Sequence, residues 1–455
     1  MERKLFGTDG IRGRANEPPM TGEMAMALGR SVGALVRRKH AAGRHPKVVL
    51  GKDTRVSCYL FEQAISSGLI SMGCDVLLVG PLPTPGIAFV TQSMRADAGI
   101  VISASHNPYH DNGIKVFDHH GFKLPDEDEL LVDRWTSGAE PLPLPLATGG
   151  GIGRCTWLND VAGRYIVYLK STFPAELTLD GVRIVVDCAH GAAYRIAPAV
   201  FSELGAEVVP LGVGPDGLNI NEGCGSLHPE VMQAAVVEHG AQLGLSLDGD
   251  ADRVILADER GRRVDGDQIL AICAQRMKKN GRLARDTVVA TVMSNLSLEL
   301  YLRSLGVELL RAPVGDRYVV AEMRAGRYNL GGEQSGHLIF LDHGTTGDGV
   351  LAALQVLAVM LGEQLPLSEL AGLLRPVPQL LVNIEVKARP PLETLPEVSA
   401  AIARAEALLS GEGRVLVRYS GTELLARVMV EGPDQQRVRS CTEDISRAIR
   451  EAIGA

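Results

Sequence analysis

A chain of 455 residues with 45% hydrophobic and 22% charged residues has the balance of a folded protein. It is longer than one core usually organises, about three or four domains' worth. A formal charge of −8 with no basic tract to offset it argues against nucleic-acid binding.

In chain order, the opening MERKLFGTDGIRG has charges but no apolar stretch behind them, so no secretory signal is expected. Within it, residues 6–13 (FGTDGIRG) place hydroxyl or carboxyl side chains and Arg12 among three glycines, turn chemistry that implies incorporation into a folded site. The longest apolar patch, residues 350–361, is broken by Gln355 and too short to span a bilayer, so no membrane attachment is expected. Seven scattered cysteines, without a CxxC pair or metal-like Cys/His spacing, read as buried small hydrophobes or loop residues. A cytoplasmic protein is expected.

One grammar recurs three times. Residues 47–51 (KVVLG) form a β-branched run, followed by a polar segment, a helical pattern over 59–71, Gly73 and a strand at 75–79. Residues 183–187 (RIVVD) lead through a helix ending at Leu204 to Gly205 and a strand at 207–211. Residues 287–293 lead through a helix ending at Leu305 to Gly306 and a strand at 308–310. Each glycine stands where a helix end needs the left-handed conformation, and three related α/β units are the economical explanation. After the proline-punctuated segment 366–378, read as the clearest linker, the pattern changes to alternating strands at 380–387, 414–420 and 426–431 with helices at 395–409 and 437–453. This is an α+β tail. A weaker boundary is marked by the PLPLP run within residues 140–146.

Four stretches carry chemistry. In residues 101–115 (VISASHNPYHDNGIK) an apolar strand stops at a tight loop, placing Ser105 at a strand's C-terminal end beside His106, with Lys115 after the next turn. That end of a strand is where open α/β sheets bind ligands. In residues 247–253 (LDGDADR), Asp248, Asp250 and Asp252 alternate, so three carboxylates converge on one hard cation if the loop curls around it. An EF-hand is excluded because Arg253 stands where glycine is needed. In residues 331–337 (GGEQSGH), Glu333 and Ser335 offer an acceptor and a hydroxyl suited to sugar hydroxyls or an amine, with His337 closing the loop. In residues 418–423 (RYSGTE), Arg418 with Ser420, Gly421 and Thr422, and Arg427 on the strand beyond, make a phosphate cradle.

The ordered set of SHNP, DGDADR, GEQSGH and RYSGTE loops resembles the α-D-phosphohexomutase superfamily over nearly the whole chain. FGTDGIRG, GKDTR at 51–55, NINEGCGSLHPE at 219–230 and VGDRYV at 314–319 look like its bacterial phosphoglucosamine mutase branch. The resemblance implies three similar α/β domains with mixed sheets and a C-terminal α+β domain around a central cleft. Their expected spans are 1–153, 154–257, 258–371 and 372–455. It also implies that Ser105 is phosphorylated in the active form and that Asp248, Asp250, Asp252 and the seryl phosphate hold Mg²⁺. Glu333, Ser335 and His337 would bind the sugar, Arg418, Ser420, Gly421, Thr422 and Arg427 the distal phosphate, and Arg12, His106, Lys115 and Arg253 would line the reaction centre.

The expected activity is interconversion of glucosamine 6-phosphate and glucosamine 1-phosphate, on the way to UDP-N-acetylglucosamine, through a phosphoserine and a sugar bisphosphate that serves as intermediate or activator. Phosphomannomutase or phosphoglucomutase specificity is the nearest alternative, and a metal-dependent sugar phosphatase or a non-catalytic phosphosugar sensor stands further off. Leu424 where relatives often carry proline, and Cys58 where glycine is common, remove no functional side chain. The resemblance suggests a homodimer. A hinge at 373–378 would let the tail close over bound substrate and exclude water.

Overall fold

The computed structural model describes residues 4–7, 9–39, 44–420 and 424–455. Packing divides the chain into two compact units, one of residues Met1–Met293 and Leu309–Gly372, the other of Ser294–Glu308 and Leu373–Ala455.

The first unit opens with a six-stranded mixed sheet. Its strands are β1 (Ile11–Arg14), β2 (Lys47–Lys52), β3 (Asp75–Pro81), β4 (Ala98–Ile102), β5 (Asp111–Asp118) and β6 (Cys155–Trp157), in the order β1-β5-β4-β2-β3-β6. β2 runs parallel to β3 and β4, whereas β5 is antiparallel to both β4 and β1. β4 is buried along its whole length, as its uninterrupted apolar run requires of a central strand. β6 lies beyond the boundary expected at 153 yet pairs with β3, so the first sheet extends into the residues assigned to the second domain.

The second sheet contains β7 (Arg183–Asp187), β8 (Glu207–Leu211), β9 (Leu243–Leu247), β10 (Val254–Asp258) and β11 (Arg263–Val264), in the order β11-β10-β9-β7-β8. The third contains β12 (Thr287–Thr291), β13 (Glu308–Ala312), β14 (Leu330–Gly332) and β15 (Leu338–Phe340), in the order β13-β12-β14-β15. The threefold repeat is present. Helices Cys58–Ser71, Ile196–Glu203 and Leu296–Ser304 each follow the first strand of their repeat, and Gly73, Gly205 and Gly306 all take positive φ after them.

The second unit carries β16 (Gln379–Glu385), β17 (Arg414–Tyr419) and β18 (Leu425–Glu431) as an antiparallel sheet in the order β16-β18-β17. Helices Pro396–Leu409 and Gln435–Ile453 pack their buried Val398, Ala401, Val438, Ile445 and Ile449 against Val428 and Val430. Two details differ from expectation. The segment 366–378 is not all linker, because Leu367 and Leu370 are buried and fold a short helix, Leu367–Ala371, into the first unit. The helix of the third repeat belongs by packing to the second unit, where Asn295 exchanges two hydrogen bonds with the Val377 backbone, both 3.1 Å. Among the described residues no helix is long and apolar enough to cross a membrane.

Candidate active site

The first unit gathers Ser105, the three aspartates, Lys115, His106, Arg253, Arg12, Glu333 and His337 by joining loops from all three sheets. β4 ends at Ile102, and the chain turns through Ser103 and Ala104 into Ser105, whose φ of +53° is left-handed. Such a conformation is strained for a residue with a side chain and persists only where its surroundings fix it. The Ser105 amide donates to Ser103 Oγ at 2.9 Å, and Ser103 Oγ donates to the buried Asp53 at 2.6 Å.

The loop 248–253 joins the antiparallel pair β9 and β10, and a short link between buried strands forces its polar residues to one end. Asp248, Asp250 and Asp252 each present a carboxylate oxygen within 4.8 Å of the others. Ser105 Oγ donates to Asp248 Oδ2 at 2.5 Å. Gly249 makes this approach feasible, since a Cβ there would lie 2.6 Å from the Ser105 carbonyl oxygen. Thr84 at a helix start donates to Asp250 Oδ2 at 2.7 Å, and Lys115 Nζ on β5 reaches Asp250 and Asp252 at 3.0 and 3.1 Å.

The electrostatics divide the three carboxylates. Burial, reinforced by Asp252 and Asp250, holds Asp248 well above the ordinary carboxylate range. Burial also opposes ionisation of Asp252, but Lys115 and His337 outweigh it and keep that group well below the usual value. Burial alone would lower the Lys115 pKa. Asp250, Asp252 and Asp9 carry it well above instead, so it is a firm cation. His106 is pressed down to about 4 by burial and then by Arg253 and Arg12. Its Nδ1 lies 3.1 Å from Ser105 Oγ and 3.2 Å from Arg253 Nη1. Glu333 is buried in a tight turn and accepts from the Gly315 amide at 3.1 Å, whereas Ser335 at its tip is exposed. His337 is buried behind Asp252, with Nδ1 3.6 Å from Asp252 Oδ1 and Nε2 3.6 Å from Asp316 Oδ2.

Side chains without an assigned role in the sequence complete this cluster. Asp9 receives Arg12, Lys123 and, at 3.3 Å, Lys115, while Lys123 also pairs with Asp316 at 2.7 Å. Acidic and basic side chains therefore alternate around a ring of Lys115, Asp9, Lys123, Asp316, His337 and Asp252 that closes on Lys115. Asp9 and Asp316 fall inside FGTDGIRG and VGDRYV, motifs whose presence was visible but whose pairing was not.

The second unit holds Arg418, Ser420 and Arg427. Arg418 on β17 stands directly opposite Arg427 on β18, so two half-buried guanidinium groups share one face of the sheet. Burial and Arg427 both lower the Arg418 pKa. Gly421 and Thr422 lie outside the described residues.

The acid donors fit a divalent cation. Asp250 Oδ1 is buried with no hydrogen-bond partner among the described residues, and Asp248 is resisted in ionising by its neighbours. All three ligands offer oxygen, the donor set of a hard ion.

This arrangement, a serine hydroxyl against a loop of three buried carboxylates that could hold a cation, beside a buried lysine, suits phosphoryl transfer, and comparison with known proteins agrees. Family descriptions of phosphoglucomutase/phosphomannomutase α/β/α domains I, II and III match residues 3–140, 163–261 and 265–377, and that of the C-terminal domain matches 381–448. Phosphoglucosamine mutase of Anaeromyxobacter dehalogenans is 60% identical over 461 residues, covering all of both chains. That of Syntrophotalea carbinolica is 56% identical over 455 residues, covering 100% of this chain and 99% of its own. A solved phosphoglucomutase/phosphomannomutase family protein from Burkholderia thailandensis shares the fold, with a TM-score of 0.80 at 24% identity over 98% and 97% of the two chains. So does Aspergillus fumigatus N-acetylphosphoglucosamine mutase, solved with GlcNAc-6P and magnesium, with a TM-score of 0.66 at 17% identity over 100% and 96%. The chain belongs to the phosphoglucomutase/phosphomannomutase family and, within it, to the phosphoglucosamine mutases.

Proposed function

We propose that the chain interconverts glucosamine 6-phosphate and glucosamine 1-phosphate by lending a phosphoryl group from Ser105 and recovering one. The observation that carries this reading is the 2.5 Å contact between Ser105 Oγ and Asp248 within a cluster of three buried carboxylates. Direct transfer between two hydroxyls of one sugar would need a strained approach, whereas a phosphoserine donates to one oxygen and accepts from the other. In the first half-reaction the P–O bond to Ser105 breaks as one to the sugar hydroxyl forms, the hydroxyl loses a proton and the seryl oxygen gains one. In the second, the sugar's other P–O bond breaks as one to Ser105 forms and the proton moves the opposite way. Between the two, the sugar bisphosphate turns.

Asp248, Asp250, Asp252 and the seryl phosphate would hold Mg²⁺, which supplies charge neutralisation at the phosphoryl oxygens. Arg253, fixed by its amide on Asp248 at 3.1 Å, adds a second positive charge. His106, 3.1 Å from Ser105 Oγ, would take a proton and Lys115, held as a cation, would give one. Glu333 and Ser335 would hold the sugar and its amine, and the Arg418–Arg427 pair with Ser420, Gly421 and Thr422 the distal phosphate.

The reading includes a cytoplasmic homodimer supplying UDP-N-acetylglucosamine synthesis. A coupled assay comparing glucosamine, glucose and mannose phosphates tests it, with Ser105→Ala as control. Fastest turnover of glucosamine phosphate, lost in the control, is expected. Net phosphate release without isomer exchange would make the protein a phosphatase and sink the proposal.

A further inference from the structure

The Ser105 loop is gripped by a side chain that takes no part in the chemistry above. Arg55 is fully buried, the bulkiest side chain so placed in the described protein. Its Nη2 donates to the carbonyl oxygens of Ser105 at 3.0 Å and Asn107 at 2.8 Å, and its Nη1 donates to that of Pro108. Its Nε and backbone amide both donate to Asp53, at 2.9 Å each. From the second sheet's side of the unit, Asn221 Nδ2 donates to the same Ser105 and Asn107 carbonyls at 2.9 and 3.0 Å. Two consecutive turns of the loop are therefore held by one planar fork and one amide.

We propose that Arg55, with Asn221 as its partner, is a positioning residue that fixes the left-handed Ser105 backbone so that the phosphoryl group on its oxygen is presented in line to the incoming sugar hydroxyl. The inference rests on the phosphoserine reading and adds to it the group that sets the nucleophile's geometry. Asp53 cancels the guanidinium charge, so what Arg55 contributes is shape. A planar guanidinium fixes several acceptors at set angles, which a lysine ammonium does not reproduce. A phosphoserine carries roughly two negative charges, and a loop free to rotate its carbonyls toward it would misplace and repel the group it has to present. Phosphoryl transfer depends chiefly on alignment, so release of this anchor falls on the chemical step rather than on substrate binding.

The test is single-turnover transfer from the full-length phosphoenzyme, loaded with glucose 1,6-bisphosphate and checked by intact mass, to glucosamine 1-phosphate. Steady-state kcat and KM and thermal melting are measured in parallel. Arg55→Lys is expected to slow transfer and kcat by about a hundredfold with KM within about twofold, the loss typical of a misplaced reacting group. Asn221→Gly removes two donors, leaves no buried charge and suits the positive φ at that position, so it carries the same test if Arg55→Lys does not fold. It is expected to lose about tenfold in kcat with KM unchanged. A variant whose folded, phosphorylated fraction transfers at the wild-type rate overturns the proposal, because a merely structural role lowers the amount of active protein and not its speed. Wild-type protein that takes no phosphoryl group at Ser105 overturns the phosphoserine reading, and this inference with it.

Discussion

The two charged regions of this protein solve opposite problems. In the first unit, acidic and basic side chains alternate around the closed ring from Lys115 through Asp9, Lys123, Asp316 and His337 to Asp252, and four of the six, Lys115, Asp316, His337 and Asp252, are buried. In the second, Arg418 and Arg427 are cross-strand neighbours of like sign, half open to solvent. Buried charges of one sign are costly unless countered from within the protein. Exposed ones of one sign repel modestly and leave a place for a mobile anion. On the proposed function, the acid cluster would be completed by a small cation and the arginine pair by a phosphate that comes and goes.

Four measurements break or sharpen that contrast. The largest effect belongs to Ser105→Ala, which is expected to reduce isomerisation to background and abolish phosphorylation seen by intact mass, while the charge ring and the fold persist by circular dichroism. Next is removal of divalent cations. Chelation is expected to stop turnover, and adding Mg²⁺ back to raise the melting midpoint by about a few degrees, since an ion that binds only the folded state stabilises it. Asp250→Asn is expected to lose most of that rise, and an equal Mg²⁺ response in this variant would show that the acid cluster is not where the ion acts.

Smaller is the effect of Arg427→Met. Losing one charge-assisted phosphate contact is expected to raise KM by about tenfold to a hundredfold. Relief of its repulsion with Arg418 should leave the melting temperature unchanged or slightly higher. A large drop in stability would mean the pair is structural.

The smallest concerns a buried carboxylate outside the ring. Asp348 caps the helix Gly349–Glu363, accepts from the Tyr165 hydroxyl and is pushed up to about 6 by burial. Its folded pKa lies above the unfolded value of roughly 3.9, so the stability it contributes is full below that value and is lost as pH rises through about 6. Asp348→Asn keeps one oxygen to accept from the Leu351 amide and turns an amide N–H toward the Tyr165 hydroxyl oxygen, which can accept it. It is expected to be more stable than wild type at neutral pH, on the order of 1–3 kcal/mol, with the difference vanishing near pH 4 in denaturant titrations. A pH-independent difference would show that Asp348 stays ionised without a cation.

How much of this was legible depended on chain separation. The strand stopping before Ser105 and the alternating aspartates are local patterns, and the structure places both together. The repeat was legible because each helix end demands its glycine. Lys123 and Asp316, by contrast, are 193 residues apart. Asp316 lies inside VGDRYV, yet nothing in either neighbourhood shows that the two charges pair. Arg55 likewise closes the GKDTR motif without a legible partner until the fold brings three carbonyls from positions 105–108 to its fork. The helix Leu367–Ala371 was hidden by flanking prolines that signal a connector, although Leu367 and Leu370 were the residues that tied it down.

Gly249, between Asp248 and Asp250, has a meaning that neither aspartate reveals. With the Ser105 carbonyl 2.6 Å from where its side chain would begin, the middle letter of that acidic triplet is dictated by a loop far upstream. The serine loop and the aspartate loop are therefore one packed unit drawn from two distant stretches of chain. Even a single methyl group at position 249 would wedge them apart, leaving every other side chain intact and the Ser105 hydroxyl out of reach of Asp248.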